Sequence, residues 1–398
     1  MGRGKSSAAI NYMNDFAGEK RFLYVTPFLK EVARVCECCH GFVQPDDQFA
    51  SKSQNIKDLL RNRQNIASTH SLFYLLDDEA LEIIKEKEYC LIVDESISVI
   101  SRVPISNHDL LNITERYTKI DEAGRVHWRD PGYRGVFQGY KDLADSSSLY
   151  YFNSILLNIL DPNILRAFDE VFMLTYLFDG QYQKGYLDYY GFDYKVIGIE
   201  EDNDAGYQFA THLDNPPPIN YWKLIHIIDK PRMNKVGLDK FSLSKQWYVR
   251  HNYDDPEVRS LRNGMINFFQ NITASSPRNR IWTCFKGERD KLIDKKSGRF
   301  RNNFLQIEAR ATNDYNDKRY LAYMANRFVD PSLKVFFAQK GCAVDEDMFA
   351  LSEMLQWIWR SAIRVEKPID LYLPSSRMRK LLIDWIDITS KGGIVIGA

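Results

Sequence analysis

A chain of 398 residues, 44% hydrophobic and 27% charged, has enough apolar material for two or three packed domains and too much for a disordered chain. Its 53 lysines and arginines balance 53 aspartates and glutamates, so overall charge does not direct it to nucleic acid, and such a contact needs a local groove. It has no run of 18 apolar residues, no signal peptide and no disulfide framework, which predicts a cytoplasmic protein without membrane contact.

The chain opens with Gly2-Arg3-Gly4-Lys5-Ser6-Ser7; Ala9, Met13, Phe16 and Ala17 then recur at helical spacing, predicting a helix over 6–17. A strand is predicted at 21–27, a helix at 28–39, a short strand at 65–70, a helix at 71–87 and a buried strand at 89–96 that ends in acids. The turn-rich residues 100–150 read as an insertion, a helix over about 152–168 restores the rhythm, and 170–178 is another buried strand. Asp214-Asn215-Pro216-Pro217-Pro218 is a loop signal within a mixed stretch. Beyond it come a helix at 262–272, a strand at 280–286, a basic loop at 286–301, a strand at 304–309, a helix at 318–328, a strand at 333–339, a long helix at 347–364 and a closing strand at 368–375. Helices alternating with strands that are apolar on both faces predict an α/β architecture with parallel sheets in two lobes, 1–180 and 181–398, the boundary lying between 180 and 260.

Three groups of residues point to nucleotide chemistry. Gly4-Lys5-Ser6 matches the end of the phosphate-loop pattern GxxxxGK[ST]. Glycines let backbone N–H groups approach phosphate, a helix N-terminus favours anions, a lysine reaches the β- and γ-phosphates and a serine hydroxyl binds Mg²⁺. Gly2, Gly4, Lys5, Ser6 and Ser7 are therefore the candidate nucleotide contacts. The pattern's first glycine would fall before Met1, so the match is partial. Asp94 and Glu95 end a buried strand, at the sheet edge where ligands of parallel sheets bind; Asp94 suits the Mg²⁺ shell and Glu95 suits polarising a water. Gln356, Arg360 and Arg364 are four apart on one predicted helix and share a face, so two guanidiniums can reach a γ-phosphate across a cleft. Cys36-Glu37-Cys38-Cys39-His40 lacks the second ligand pair that zinc needs and reads as a helix end.

In this order the segments resemble the motifs of superfamily 2 (DEAD/DEAH-like) helicase-family ATPases over nearly the whole chain. GRGKSS (2–7) resembles motif I, YVTP (24–27) motif Ia, and ASTH (67–70) a following nucleic-acid motif. VDES (93–96) resembles motif II, LTY (174–176) motif III, ARATNDY (309–315) motif V and QWIWRSAIR (356–364) motif VI. The C-terminal block is similar to helicase-family proteins of bacteriophages and mobile elements. The resemblance implies two RecA-like P-loop lobes with ATP and Mg²⁺ in the cleft. It places DNA, or RNA, across the top near Thr26, Thr69 and Thr312, and implies replication or mobile-element proteins as partners in a bacterial or phage-infected cell. A helicase or translocase follows, with a remodelling or packaging ATPase and a degenerate, non-catalytic homologue as alternatives. The sequence departs from the pattern at Tyr176, where alanine is usual, and at Trp359, where glycine is usual. No adenine-reading segment precedes Gly2. The first lobe also lacks the strand before its phosphate loop, which predicts a chain shortened at its start and a slot in the sheet beside the motif II strand.

Overall fold

Strands apolar on both faces need cover on both faces, and the chain up to Asp94 supplies, among the described residues, four: β1 (Arg21–Thr26), β2 (Phe42–Val43), β3 (Asn65–Thr69) and β4 (Tyr89–Asp94). The structure is a computed structural model and describes residues 4–46, 51–202, 206–211, 218–295, 297–308 and 315–393. After β4 the chain builds a small antiparallel unit from β5 (Ile100–Val103), β6 (Thr118–Ile120), β7 (Val126–Trp128), β8 (Leu149–Phe152) and β9 (Ile155–Ile159), then re-enters the first sheet as β10 (Glu170–Leu174). That sheet is parallel, in the order β10-β4-β1-β3-β2. The antiparallel hairpin β11 (Gly198–Asp202) and β12 (Gly206–Ala210) follows. The second lobe holds β13 (Ile225–Ile228), β14 (Arg280–Thr283), β15 (Tyr320–Tyr323) and β16 (Ile369–Tyr372), all parallel, in the order β13-β16-β15-β14. The predicted α/β class with parallel sheets in two lobes is the observed one.

Period-2 alternation places the cover. Phe22 and Tyr24 of β1 join Ala9, Met13, Val32 and Val35 of the helices Lys5–Asp15 and Leu29–Cys38 on one face. Leu23 and Val25 join Leu60, Ile83 and Ile84 on the other. The expected slot beside β4 is not there: β4 is hydrogen-bonded to β1 on one side and to β10 on the other.

Several local expectations are overturned, each by a nameable competitor. Residues 152–168 are not one helix: Asn153 and Ser154 take φ of 44° and 61° in a two-residue turn that joins β8 to β9. Only Pro162–Arg166 is helical there, capped by the Asp161 carboxylate. Residues 71–87 split into His70–Phe73 and Asp78–Glu86, because Asp77 caps a new helix by accepting from the Ala80 N–H. Residues 333–339 form a helix (Pro331–Gln339), started by Asp330 as cap and Pro331 in the first turn, a signal that outweighs the apolar run. Within 318–328 the predicted helix gives way to β15, which the sheet buries between β14 and β16. Residues 304–308 form no strand beyond a bridge from Phe304 to Trp282. The long helix ends at Ile358, and Ala362–Val365 is a separate 3₁₀ turn.

The lobes interlock. Helix Pro331–Gln339, from the second half of the sequence, puts Leu333, Phe336 and Phe337 into the first lobe's core. The Asp330 N–H donates to the Tyr182 hydroxyl at 3.1 Å. A Cβ on Gly180 would lie 2.4 Å from the Met348 and Phe349 backbone, so the interlobe connection passes helix Glu346–Ile358 at glycine distance. Gly180→Ala is expected to cost about 2 kcal/mol through overpacking against backbone, read as a lower urea midpoint at unchanged slope.

Candidate nucleotide site between the lobes

The site starts at the N-terminus of helix Lys5–Asp15. Gly4 caps it with φ of 72°, a conformation that strains any L side chain. A Cβ there would also meet the Tyr207 ring of β12 at 2.3 Å. The Ser6 hydroxyl, in the first turn, donates to the Asp94 carboxylate at 3.1 and 3.2 Å. Asp94 is the last residue of β4 and is 8% exposed. Burial raises its pKa; hydrogen bonds from Tyr24 and Ser6 and the Lys5 charge oppose that shift, while Glu31 adds to it. The Tyr24 hydroxyl donates to Asp94 Oδ2 at 2.7 Å. Burial likewise lowers the pKa of the Lys5 ammonium, against the pull of Asp94 and Glu95. Lys5 Nζ lies 6.0 Å from the centre of the Tyr176 ring.

One residue on, the backbone turns sharply. Glu95 has φ of 62°, rare for a residue with a side chain, and is exposed. His70 Nε2 lies 3.1 Å from the Asp94 carbonyl oxygen beneath this turn. Glu95 lines a cavity between the lobes together with Gln356 and Arg360. Arg360 is 8% exposed and donates to the Ile307 carbonyl at 3.3 Å. Burial lowers its guanidinium pKa, and the charges of Glu95, Glu353 and Glu308 oppose that; it stays a cation. Gln356 Nε2 donates to Ser352 Oγ at 3.3 Å.

The structure thus brings together Lys5, Ser6 and Asp94 in one cluster, and Glu95, Gln356 and Arg360 in one cavity. Arg364 is not with them. The helix that was to carry it stops at Ile358, and Arg364 is exposed on the following 3₁₀ turn, outside the cavity lining. Ser7 follows Ser6 in the first helical turn and is half-buried. Gly2 and Thr312 lie outside the described residues. Thr26 and Thr69 are register partners at the ends of β1 and β3. Thr26 is 0% exposed, so nothing outside the protein reaches it in this conformation, and Thr69 is half-buried.

Three tyrosines escaped the sequence reading as site residues. Tyr24 needs the β1–β4 register to be seen beside Asp94, and Tyr207 needs the hairpin to fold back onto the first helix. Tyr176 was visible only as a departure from a motif. Its hydroxyl accepts from the indole N–H of Trp385 at 2.8 Å, and its carbonyl accepts from Gln181 Nε2 at 2.9 Å. Gln181 Oε1 in turn accepts from Ser96 Oγ at 2.5 Å, so Tyr176 connects the Glu95 turn to the second lobe. Trp359, the other departure, is a core residue with its ring centre 5.5 Å from those of Trp385 and Tyr221.

These features define a two-lobed α/β protein in which a helix N-terminus meets the acidic end of a parallel strand, and the next residue, Glu95, shares a cavity with an arginine of the second lobe. Over 404 residues the chain is 36% identical to the SPbeta prophage-derived uncharacterized protein YonV of Bacillus subtilis (strain 168), with 97% of each covered. The chain belongs to the YonV family. Residues 220–386 match the family described as the YonV C-terminal Rossmann-like domain, and residues 100–158 match the YonV middle domain. Among solved structures it is similar to S. tokodaii Xpd4, with a TM-score of 0.47 and 12% identity over 100% of this chain and 94% of that one. It is also similar to an apo XPD, with a TM-score of 0.46 and 12% identity over 92% and 91% of the two chains.

Tyr176→Phe is expected to leave the Trp385 indole N–H, on a side chain 1% exposed, without its acceptor. The loss is about 1–2 kcal/mol of stability, measured as a shift in the thermal or urea midpoint.

Proposed function

We propose that this protein is an ATP-dependent motor of the helicase or translocase kind, acting on nucleic acid, most simply DNA. The observation that carries the reading is the contact of Ser6 with Asp94 beside Lys5, with Glu95 and Arg360 facing one cleft from opposite lobes. A Mg²⁺ bound mainly by phosphates and waters needs only one or two protein oxygens, and the Ser6 hydroxyl and Asp94 carboxylate are such a pair. Bound Mg²⁺-ATP would supply the phosphoryl group and much of its charge neutralisation.

The chain's own residues would do the rest. The helix N-terminus and Lys5 hold the β- and γ-phosphates; both suit it, being a dipole end and a lysine kept among carboxylates. Glu95, exposed on a turn whose backbone is already strained, orients the attacking water and takes its proton. Arg360 is buried beside carboxylates and is a preorganised positive group for the charge that grows on the phosphoryl oxygens. Because Glu95 belongs to one lobe and Arg360 to the other, turnover depends on how the lobes sit. Tyr176 and Gln181 link the Glu95 turn to the second lobe and so transmit that dependence. Among the described residues no helix is long and apolar enough to cross a membrane. A prophage-derived relative suits work on mobile-element DNA in the cytoplasm of a bacterial or infected cell.

The test is ATP hydrolysis with and without single-stranded DNA. The unmodified chain is expected to hydrolyse ATP faster with DNA. Glu95→Gln should lower kcat by about 100-fold or more, and Arg360→Ala by about 1,000-fold, with nucleotide affinity changed only a few-fold. A chain that binds no ATP, or hydrolyses it equally well as Glu95→Gln, sinks the reading. Strand displacement on a tailed duplex then separates unwinding from remodelling.

A further inference from the structure

The sequence left one requirement open: a chain with no net charge needs a local groove to hold nucleic acid. Such a groove exists beside the cleft, with lining residues of its own. The starts of β14 and β15 border a pocket lined by Arg278, Arg280, Arg301, Lys318, Asn303 and Tyr315, and among the described residues no carboxylate lines it. We propose that this pocket binds the phosphodiester backbone of single-stranded nucleic acid.

The site is built, and its cations differ in role. The Arg280 guanidinium lies over the Phe300 and Phe269 rings at 4.6 and 5.6 Å from their centres, and its Nε donates to Asn303 Oδ1 at 3.4 Å. Burial lowers its pKa, and among the described residues it forms no ion pair with a carboxylate. Asn303 is itself fixed, donating to the Pro277 and Arg280 carbonyls at 2.7 and 3.2 Å. Lys318 Nζ donates to the Arg278 carbonyl at 2.8 Å, closing the two walls, and also pairs with exposed Asp317 at 2.6 Å. Arg278 and Arg301 are exposed, and among the described residues neither is paired with a carboxylate. Planar guanidiniums match phosphate oxygens in pairs, which favours phosphate over a carboxylate or halide ligand. The half-exposed Tyr315 adds a ring face on which a base can stack.

The pocket also adjoins the cleft. The Lys318 carbonyl accepts from the Ala362 N–H at 2.9 Å, two residues beyond Arg360. On the ATPase reading above, on which this consequence rests, a strand held here would be felt at Arg360.

The experiment is fluorescence anisotropy of a labelled oligothymidylate against the full chain and the double variant Arg278→Ala/Arg301→Ala, across a salt series. Both side chains are exposed, and an unchanged unfolding midpoint confirms that the variant folds. Its affinity is expected to fall roughly tenfold, and the slope of log affinity against log salt to shrink by roughly 0.7 for each lost phosphate contact. ATP hydrolysis without DNA should be unchanged, while stimulation by DNA is reduced. Equal affinity and slope in the variant overturn the pocket and leave the ATPase reading standing. An unmodified chain that hydrolyses ATP but binds no oligonucleotide overturns the pocket and restricts that reading to an ATPase independent of nucleic acid. Weaker binding of a fluorescent ATP analogue, with oligonucleotide binding intact, would assign the cations to free nucleotide and likewise overturn the proposal.

Discussion

The contact between Ser6 and Asp94 carries the first lobe's site. A carboxylate as buried as Asp94 is costly unless it is hydrogen-bonded, and its donors come from two other elements: Tyr24 on β1 and Ser6 at the start of the first helix. Satisfying one acid therefore fixes the helix N-terminus against the C-terminal edge of the sheet. The same acid opposes the burial shift of Lys5, so an amine and a carboxylate that would each be unfavourable alone are tolerated together. The strained turn at Glu95 comes immediately after this doubly hydrogen-bonded acid, where the chain leaves the sheet.

Lobe coupling uses different chemistry. It rests on apolar interlocking, with Leu333, Phe336 and Phe337 in the first lobe's core, and on a polar chain from Ser96 through Gln181 and Tyr176 to Trp385. Apolar contact is tolerant of small sliding, whereas hydrogen bonds between buried groups are not. The arrangement joins the lobes through an apolar contact and a small set of directional bonds. Tyr176, odd as a motif residue, makes sense as one of those bonds, because alanine has no hydroxyl to offer Trp385.

Charge is distributed in the same economical way. The chain is neutral overall, yet arginines collect at the starts of β14 and β15, while carboxylates collect around Arg360 in the cleft. Segregation of this kind allows a neutral protein to present distinct local fields.

Much of this was legible in the residues alone. Alternation of helices with doubly apolar strands is a local property, so the α/β class and parallel sheets could be read, as could the helix after Gly4 and the acids ending β4. Motif spacing also named Lys5, Ser6 and Asp94, which tertiary structure brings into one cluster, and Glu95, Gln356 and Arg360, which line one cavity. What local pattern could not decide was any choice between competing short-range signals. The Asn153–Ser154 turn and the Asp330–Pro331 cap each reversed a reading made from apolar runs, and the end of the helix at Ile358, six residues short of its predicted end, removed Arg364 from its face. Nor could sequence pair residues that touch only through strand register or lobe packing. Tyr24 reaches Asp94, and Tyr207 reaches Gly4, because folding brings together segments 70 and more than 200 residues apart, a separation over which no periodicity carries information.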